Sequence, residues 1–333
     1  MAIILRSMVC MSFPLTFFLM ACTGGNSVPK TTPVVEVKEN KVPLFNADSA
    51  YQYVAGQMAF GNRIPNTEAH ARTAQWLASE LRRHGAEVIV QEAPVTAYDN
   101  TVLNAQNIIG QFNPEKKDRV LLLAHWDSRP FADYDKNPAN IKKPVPGAND
   151  GASGVGVLLE IARLLGKENP GKGIDIMFVD AEDYGTPSFA TSQAGDNTWA
   201  LGTQYWARRP HKPGYRAKYA ILLDMVGARN ATFLKEGFSN HYASYLVDKV
   251  WKTGQKLGYS SYFVEKKGGY INDDHYYVNT MARIPAIDII HLDPDSETGF
   301  FPYWHTVDDT LDKIDPATLE AVGRTVTYLL YND

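Results

Sequence analysis

Cysteine is almost absent from this 333-residue chain: it has two, Cys10 and Cys22, and both lie near the N-terminus. From Thr23 onward there is none. No disulfide can staple the folded body, and no thiolate can serve it as nucleophile or metal ligand. Its stability has to come from a hydrophobic core, which a chain of this length can supply. A basic excess is also missing. Lys and Arg number 33 against 37 Asp and Glu, for a net charge of −4 and a pI near 6.1. That balance excludes a general nucleic-acid binder, because nothing is in surplus to neutralise phosphates. Beyond the N-terminal segment no apolar run approaches the ~20 residues of a membrane span, and there is no internal repeat. What is present, 44% hydrophobic and 21% charged residues, is the make-up of a globular protein.

The N-terminus reads as an address. One positive charge, Arg6, precedes a short apolar run from Met8 to Ala21 that contains Pro14. This is a secretory signal pattern. The run closes on Leu19-Met20-Ala21-Cys22, which resembles the lipobox of bacterial lipoproteins, with cleavage before the Cys and lipid on Cys22. A plain N-terminal anchor with an incidental Cys is the alternative. The expected organisation is a signal peptide over 1–21, a flexible tether over 22–45 rich in Gly, Ser, Thr and Pro, and one domain over 46–333. With no acidic cluster after Cys22, the expected place is the periplasmic side of a Gram-negative outer membrane, with the lipid as the only membrane contact.

Within the body, a helix is expected from Asp48-Ser49 through Met58, and a second over Thr67–His84 with Trp76, Leu77 and Leu81 as its apolar stripe. Glu87–Val90 and Asn107–Gln111 read as strands. Val120–Ala124 is a continuous apolar run, the mark of a strand buried on both faces, and Ile174–Val179, Ala220–Val226 and Ile284–Ile290 read as further buried strands. Helices are expected over Ser153–Leu165 (ended by Gly166), Leu201–Ala207, Asn240–Leu257 and Pro316–Tyr331. Such alternation predicts an α/β fold: a three-layer α/β/α arrangement around a mostly parallel, mixed sheet.

Ligands in open α/β sheets bind beyond the carboxyl ends of the strands. There the sequence places His125-Trp126-Asp127, Glu182-Asp183 and Asp224, with Asp150 in the Gly-rich loop before a helix and His305 near the C-terminus. So many acids on one edge repel unless a cation sits among them. Carboxylate and imidazole donors without Cys suit an open catalytic Zn²⁺ site. Adjacent Glu182-Asp183 can divide the work, one carboxylate binding metal and the other acting as general base. Other motifs fail. Gly166–Lys172 has Walker spacing, but Gly173 stands where Ser or Thr is needed. Gly151-Ala152-Ser153-Gly154-Val155 lacks the last Gly of a nucleophile elbow. His70, His84, His211 and His241 have no ligand partner nearby in sequence, so surface or capping roles are expected. Arg208-Arg209 reads as a solvated helix end.

The ordered set His125-x-Asp127, Asp150-Gly151, Glu182-Asp183, Asp224 and His305 resembles the M28-type zinc aminopeptidase family over nearly all of the body. Trp304 before His305, Asp273-Asp274-His275, and Asn197-Thr198-Trp199 resemble the bacterial glutaminyl cyclases within it. That resemblance implies one Zn²⁺ held by Asp150, Asp183 and His305, with Glu182 as general base and acid. Asp224 and Asp273 would share a hydrogen-bond network with Glu182. Trp199, Trp304, Ile271 and Asn272, with Phe301 or its neighbour Phe300, would line the substrate pocket. Asp183 stands where animal cyclases have Glu, and Asp288 where they have His, which leaves Asp288 a supporting role. The implied partners are peptides and proteins with an N-terminal Gln, and the implied state a monomer. Two rivals remain: a di-zinc aminopeptidase in which His125 and Asp224 complete a second site bridged by Asp150, and a non-catalytic binding lipoprotein.

Overall fold

The computed structural model describes residues 41–191 and 196–333. The expected signal peptide, the lipid site Cys22 and most of the expected tether lie outside the described residues. Strands β1 (Glu87–Thr96), β2 (Val102–Phe112), β3 (Arg119–His125), β4 (Gly173–Val179), β5 (Tyr219–Asp224) and β8 (Ala286–Ile290) form one six-stranded sheet in the order β1-β2-β4-β3-β5-β8. β4, β3, β5 and β8 run parallel; β2 is antiparallel to β4 and β1 to β2. Two short strands, β6 (Phe233–Lys235) and β7 (Phe263–Lys267), pair apart from it. The expected mixed, mostly parallel sheet is what forms.

Side chains alternate across a strand, so one apolar run feeds two cores. Leu122, Ala124, Ile176, Phe178, Ile221 and Leu223 enter the larger core. It is closed by helices α1 (Ala47–Met58), α2 (Glu68–Arg83), α3 (Ala152–Lys167), α5 (Gly237–Lys256) and α7 (Pro316–Asn332). Leu121, Leu123, Met177, Val179, Ala220 and Leu222 face the other way, against Trp206 of α4 (Leu201–Arg208) and Val278, just after the short helix α6 (Asp274–Tyr277). No helix among the described residues is long and apolar enough to cross a membrane.

Several boundaries differ from expectation. Phe45, assigned to the tether, is buried in the larger core, over Gly323, where a Cβ would come within 2.2 Å of its ring. The apolar ring leaves water for a slot that only glycine opens, so the packed body begins before residue 46. Asn46, not Asp48-Ser49, caps α1, accepting from the Ser49 amide at 2.9 Å. α3 runs on through Gly166, because that glycine answers a close approach: a Cβ there would meet the His84 carbonyl oxygen at 2.2 Å. β5 stops at Asp224, where Met225 turns into the left-handed region with φ 49°. Two of the histidines for which surface or capping roles are expected are buried, and one of them, His84, is the C-cap of α2. His70 pairs with Asp180 at 2.7 Å and stacks on Trp126, and His84 bonds the Tyr53 hydroxyl at 2.8 Å.

Candidate metal and catalytic site

Parallel strands bring their carboxyl ends to one edge, and the polar residues that follow them meet there. His125 ends β3, Asp224 ends β5, and Glu182-Asp183 lie three and four residues past β4. Asp150 comes from the loop before α3 and His305 from the loop that precedes α7. All are buried.

Asp150, Asp183 and His305 place one donor atom each within 4.8 Å of one another. His305 Nε2 lies 3.2 Å from Asp183 Oδ1 and 3.7 Å from Asp150 Oδ2. The Asp183 Oδ2 atom is buried with no hydrogen-bond partner. Two anionic oxygens and an imidazole nitrogen, closely spaced and shielded from water, fit a zinc ion with an open position. A second group, His125, Asp150 and Asp224, shares Asp150 with the first. In it, His125 Nε2 sits 3.0 Å from Asp150 Oδ1 and 3.2 Å from Asp224 Oδ1. Asp273, His275 and Asp288 make a third, with Asp288 fully buried.

Electrostatics follow from burial and crowding. Burial, then the nearby Asp273 carboxylate, pushes Glu182 well above the ordinary carboxyl range. Burial and Asp150 likewise raise Asp183. Burial lifts Asp224 to about 7 against the pull of its bond to His125. For Asp150 burial works upward too, but the bond and charge of His125 outweigh it and hold the group low.

Two carboxylates shape the loops that carry these ligands. Asp127 accepts from the Glu182 amide through Oδ1 at 3.2 Å and from the Asp183 amide through Oδ2 at 3.1 Å. Asp309 does the same for Asn149 and Asp150, at 2.9 and 3.1 Å. Arg129 ties the metal group to its surroundings. Its guanidinium forks onto Asp133 at 2.7 and 2.9 Å and donates to the Asp183 carbonyl at 2.9 Å. It also lies 4.8 Å from the Trp199 ring centroid. Asp133 Oδ1 in turn is 3.5 Å from His305 Nδ1. Backbone strain concentrates here: Ala181, Met225 and His305 all have φ near +50°, a conformation that costs a side-chain-bearing residue ~1 kcal/mol or more. Sequence reasoning missed Arg129, Asp133 and Asp309. Asp309, four residues after His305, carried a faint signal; Arg129 and Asp133 sit in an aperiodic loop and carried none.

Above the metal group opens a cavity of about 320 Å³. Glu182, Asp224 and Asp273 face it, and Trp199, Ile271, Asn272, Phe300 and Trp304 wall it. Trp304 stacks on His305 with centroids 3.7 Å apart. Trp199 lies parallel to the same imidazole at 6.0 Å. Phe301, expected in the wall, is instead buried among Met225, Ala228, Leu234 and Leu292. Neighbouring side chains point to opposite sides of the loop, and it is Phe300 that meets Trp304, at 4.5 Å. His275 does not reach the cavity; its Nε2 bonds Glu236 at 2.9 Å.

Comparison with known proteins places this architecture. The Tannerella forsythia glutaminyl cyclase structure is 57% identical, with a TM-score of 0.86, covering 87% of this chain and 100% of that one. A Zn-dependent exopeptidase structure from Parabacteroides distasonis is also 57% identical, with a TM-score of 0.87, covering 88% and 100%. Aminopeptidase YwaD of Bacillus subtilis is 27% identical over 75% of this chain, which spans about half (50%) the length of that curated relative. A family model described as peptidase family M28 matches residues 107–330, from the second strand of the sheet to the last helix. The chain belongs to peptidase family M28.

Proposed function

We propose that this protein is a zinc-dependent glutaminyl cyclase, converting an N-terminal glutamine into pyroglutamate with release of ammonia. The observation that carries this reading is a free, buried carboxylate, Glu182, beside a three-residue metal group at the floor of a small aromatic-walled cavity. The 57% identity to the Tannerella cyclase over that protein's whole solved chain supports it.

The reaction needs no nucleophile from the protein. The α-amine of the substrate attacks its own side-chain amide carbon; the new C–N bond closes a five-membered lactam, and the C–NH₂ bond breaks. Glu182 takes a proton from the attacking amine and returns it to the departing nitrogen, so ammonia leaves and the carboxylate is regenerated. Its elevated proton affinity suits a group that both accepts and donates. A zinc ion held by Asp150, Asp183 and His305 would supply a Lewis acid for the amide carbonyl. Trp199, Ile271, Phe300 and Trp304 would fold the glutamine side chain back on its amine and exclude water, which is catalysis by proximity. Asp224 and Asp273 would hold protons close to Glu182. We take one zinc per chain, at Asp150, Asp183 and His305, with His125 Nε2 serving as hydrogen-bond partner between Asp150 and Asp224, 3.0 and 3.2 Å away, and not as a second ligand.

The second donor group, His125, Asp150 and Asp224, favours one rival: a di-zinc aminopeptidase in which Glu182 activates water. Incubation with a Gln-initiated peptide separates the two. Ammonia and a blocked N-terminus support the cyclase, whereas free glutamine overturns it. Metal analysis of the purified protein should return one zinc, not two. The lipobox supports export and lipid attachment at Cys22, and so a periplasmic, outer-membrane-tethered enzyme. Radiolabelled fatty acid should mark the wild type and not C22S, and protease shaving of intact cells should leave the domain uncut. Gel filtration of the soluble domain should give a monomer.

A further inference from the structure

The long helix α5 buries one face, through Leu246, Val247, Val250 and Trp251, and turns the other to water. On that outer face Tyr245, Lys249, Lys252 and Lys256 recur at helical spacing, so they form one stripe, and all four are exposed. Tyr245 is 56% exposed, a large ring left in water among lysines. Lys172, just before β4, and Lys218, just before β5, carry the positive charge on across the strand starts. With Lys249 they converge on Asp333: Lys172 donates to its main-chain oxygen at 3.0 Å, Lys218 lies 3.6 Å from its carboxylate, and Lys249 bonds the same carboxylate. The Asp333 side chain is only 7% exposed beneath them. Two more acids close by are matched, Asp248 by Lys235 at 2.8 Å and Asp118 by the adjoining Lys116-Lys117. Lysines in the last turns of a helix complement its dipole and need no further reason. Lys172 and Lys218, which precede strands, and the bare ring of Tyr245 have no such reason.

We propose that this face docks on an anionic phospholipid surface, giving the protein a second membrane contact beside its lipid. The inference rests on the lipid-anchor reading of Cys22 for its setting. Two observations choose a bilayer as the occupant. The first is where the chain leaves the body. Val42, Pro43 and Leu44 share a small recess with Leu257, directly after α5, and with Tyr328 of α7. From there only 18 residues lie between Lys41 and Cys22, at most ~65 Å of chain, so an anchored body stays beside the bilayer with this end nearest its attachment. The second is the mixture of side chains. Lysines that carry their charge on long apolar stems, an exposed tyrosine, and Leu44, 74% exposed, are the make-up of a surface that meets lipid headgroups. The catalytic cavity opens at the carboxyl ends of the strands, whereas Lys172 and Lys218 stand at their starts. A docked body therefore holds its cavity mouth away from the bilayer, towards polypeptides in solution.

The test sediments the full-length C22S chain, which carries no lipid, with vesicles of phosphatidylcholine alone or with about a third phosphatidylglycerol. The apolar N-terminal segment meets both vesicles, so the ratio of the two partition coefficients isolates the effect of lipid charge. In low salt that ratio should be about tenfold or more, and it should shrink as salt is raised. Adding K252Q/K256Q should lower it by about tenfold, on the scale of a few-fold per lysine at an anionic surface. K142Q/K143Q removes the same charge from the loop between β3 and α3 and should move the ratio far less. Y245S should weaken binding to the anionic vesicles while leaving its salt dependence as it was. A ratio near one before any lysine is changed, or a ratio that falls equally in both double variants, overturns the docking face. Neither result touches lipid attachment, which the fatty-acid label on Cys22 decides separately. A missing label with the anionic preference intact overturns the anchor and leaves the face standing.

Discussion

Arg129 braces the metal group from outside it. It fixes the Asp183 backbone, backs His305 through Asp133 and lies against Trp199. Outer partners of this kind commonly account for 10–100-fold in metal affinity. We therefore expect R129M to lower zinc affinity by roughly that factor, measured by competition with a chromophoric chelator. For Glu182 the expectation is different. E182Q should cut kcat by about 10²-fold or more while zinc content and melting temperature stay near wild type; unchanged turnover would remove Glu182 as the base. Glu182 and Asp183 were legible in the sequence because they follow an apolar run long enough to be a strand, whereas Asp150 and His305, which lie in loops, were legible through the ordered set of motifs they complete. Arg129 was not, since a buried arginine pair in a loop has no period and no motif. Phe300 and Phe301 could not be told apart for a related reason: the sequence does not say which side of a loop faces the cavity.

Glu236, at the start of α5, joins several elements through one buried carboxylate. It accepts from the Phe238 and Ser239 amides at 2.8 and 2.6 Å, from the Ile271 amide at 2.9 Å, and pairs with His275. Burial works to raise its pKa, but the His275 and amide bonds outweigh that and bring it from 4.5 to about 2. A depressed carboxyl stabilises above its unfolded pKa, and that stability disappears as pH falls through the folded value. E236Q should therefore lose stability at pH 7, on the order of 1–3 kcal/mol. The gap to wild type should close between about pH 4.5 and 2, read by urea unfolding of zinc-free protein. The helix and the loop it anchors were only partly foreseen. α6 and strands β6 and β7 are too short to show a period, and β1 and β2 outran their apolar cores because their far ends are half solvated.

At the scale of the whole molecule, the three-layer class was readable because four predominantly apolar segments, as expected of strands buried on both faces, alternate with helical patterns. Where the body begins was not readable, since the residues around Phe45 have the composition of a linker. Its ring nevertheless closes the larger core against α7. F45A should cost about 3 kcal/mol, seen as a melting point lower by several degrees. A truncation ending at residue 41 should melt like the full chain.

Asp127 and Asp309 each grip two consecutive amides, so the loops bearing Asp150 and Asp183 take their shape from the polypeptide and not from the ion they cradle. Such a mould is indifferent to modest changes of guest. Cobalt(II), which shares zinc's taste for nitrogen and oxygen donors, should slip in without rearrangement and turn a colourless centre into one whose visible spectrum reports each encounter with substrate.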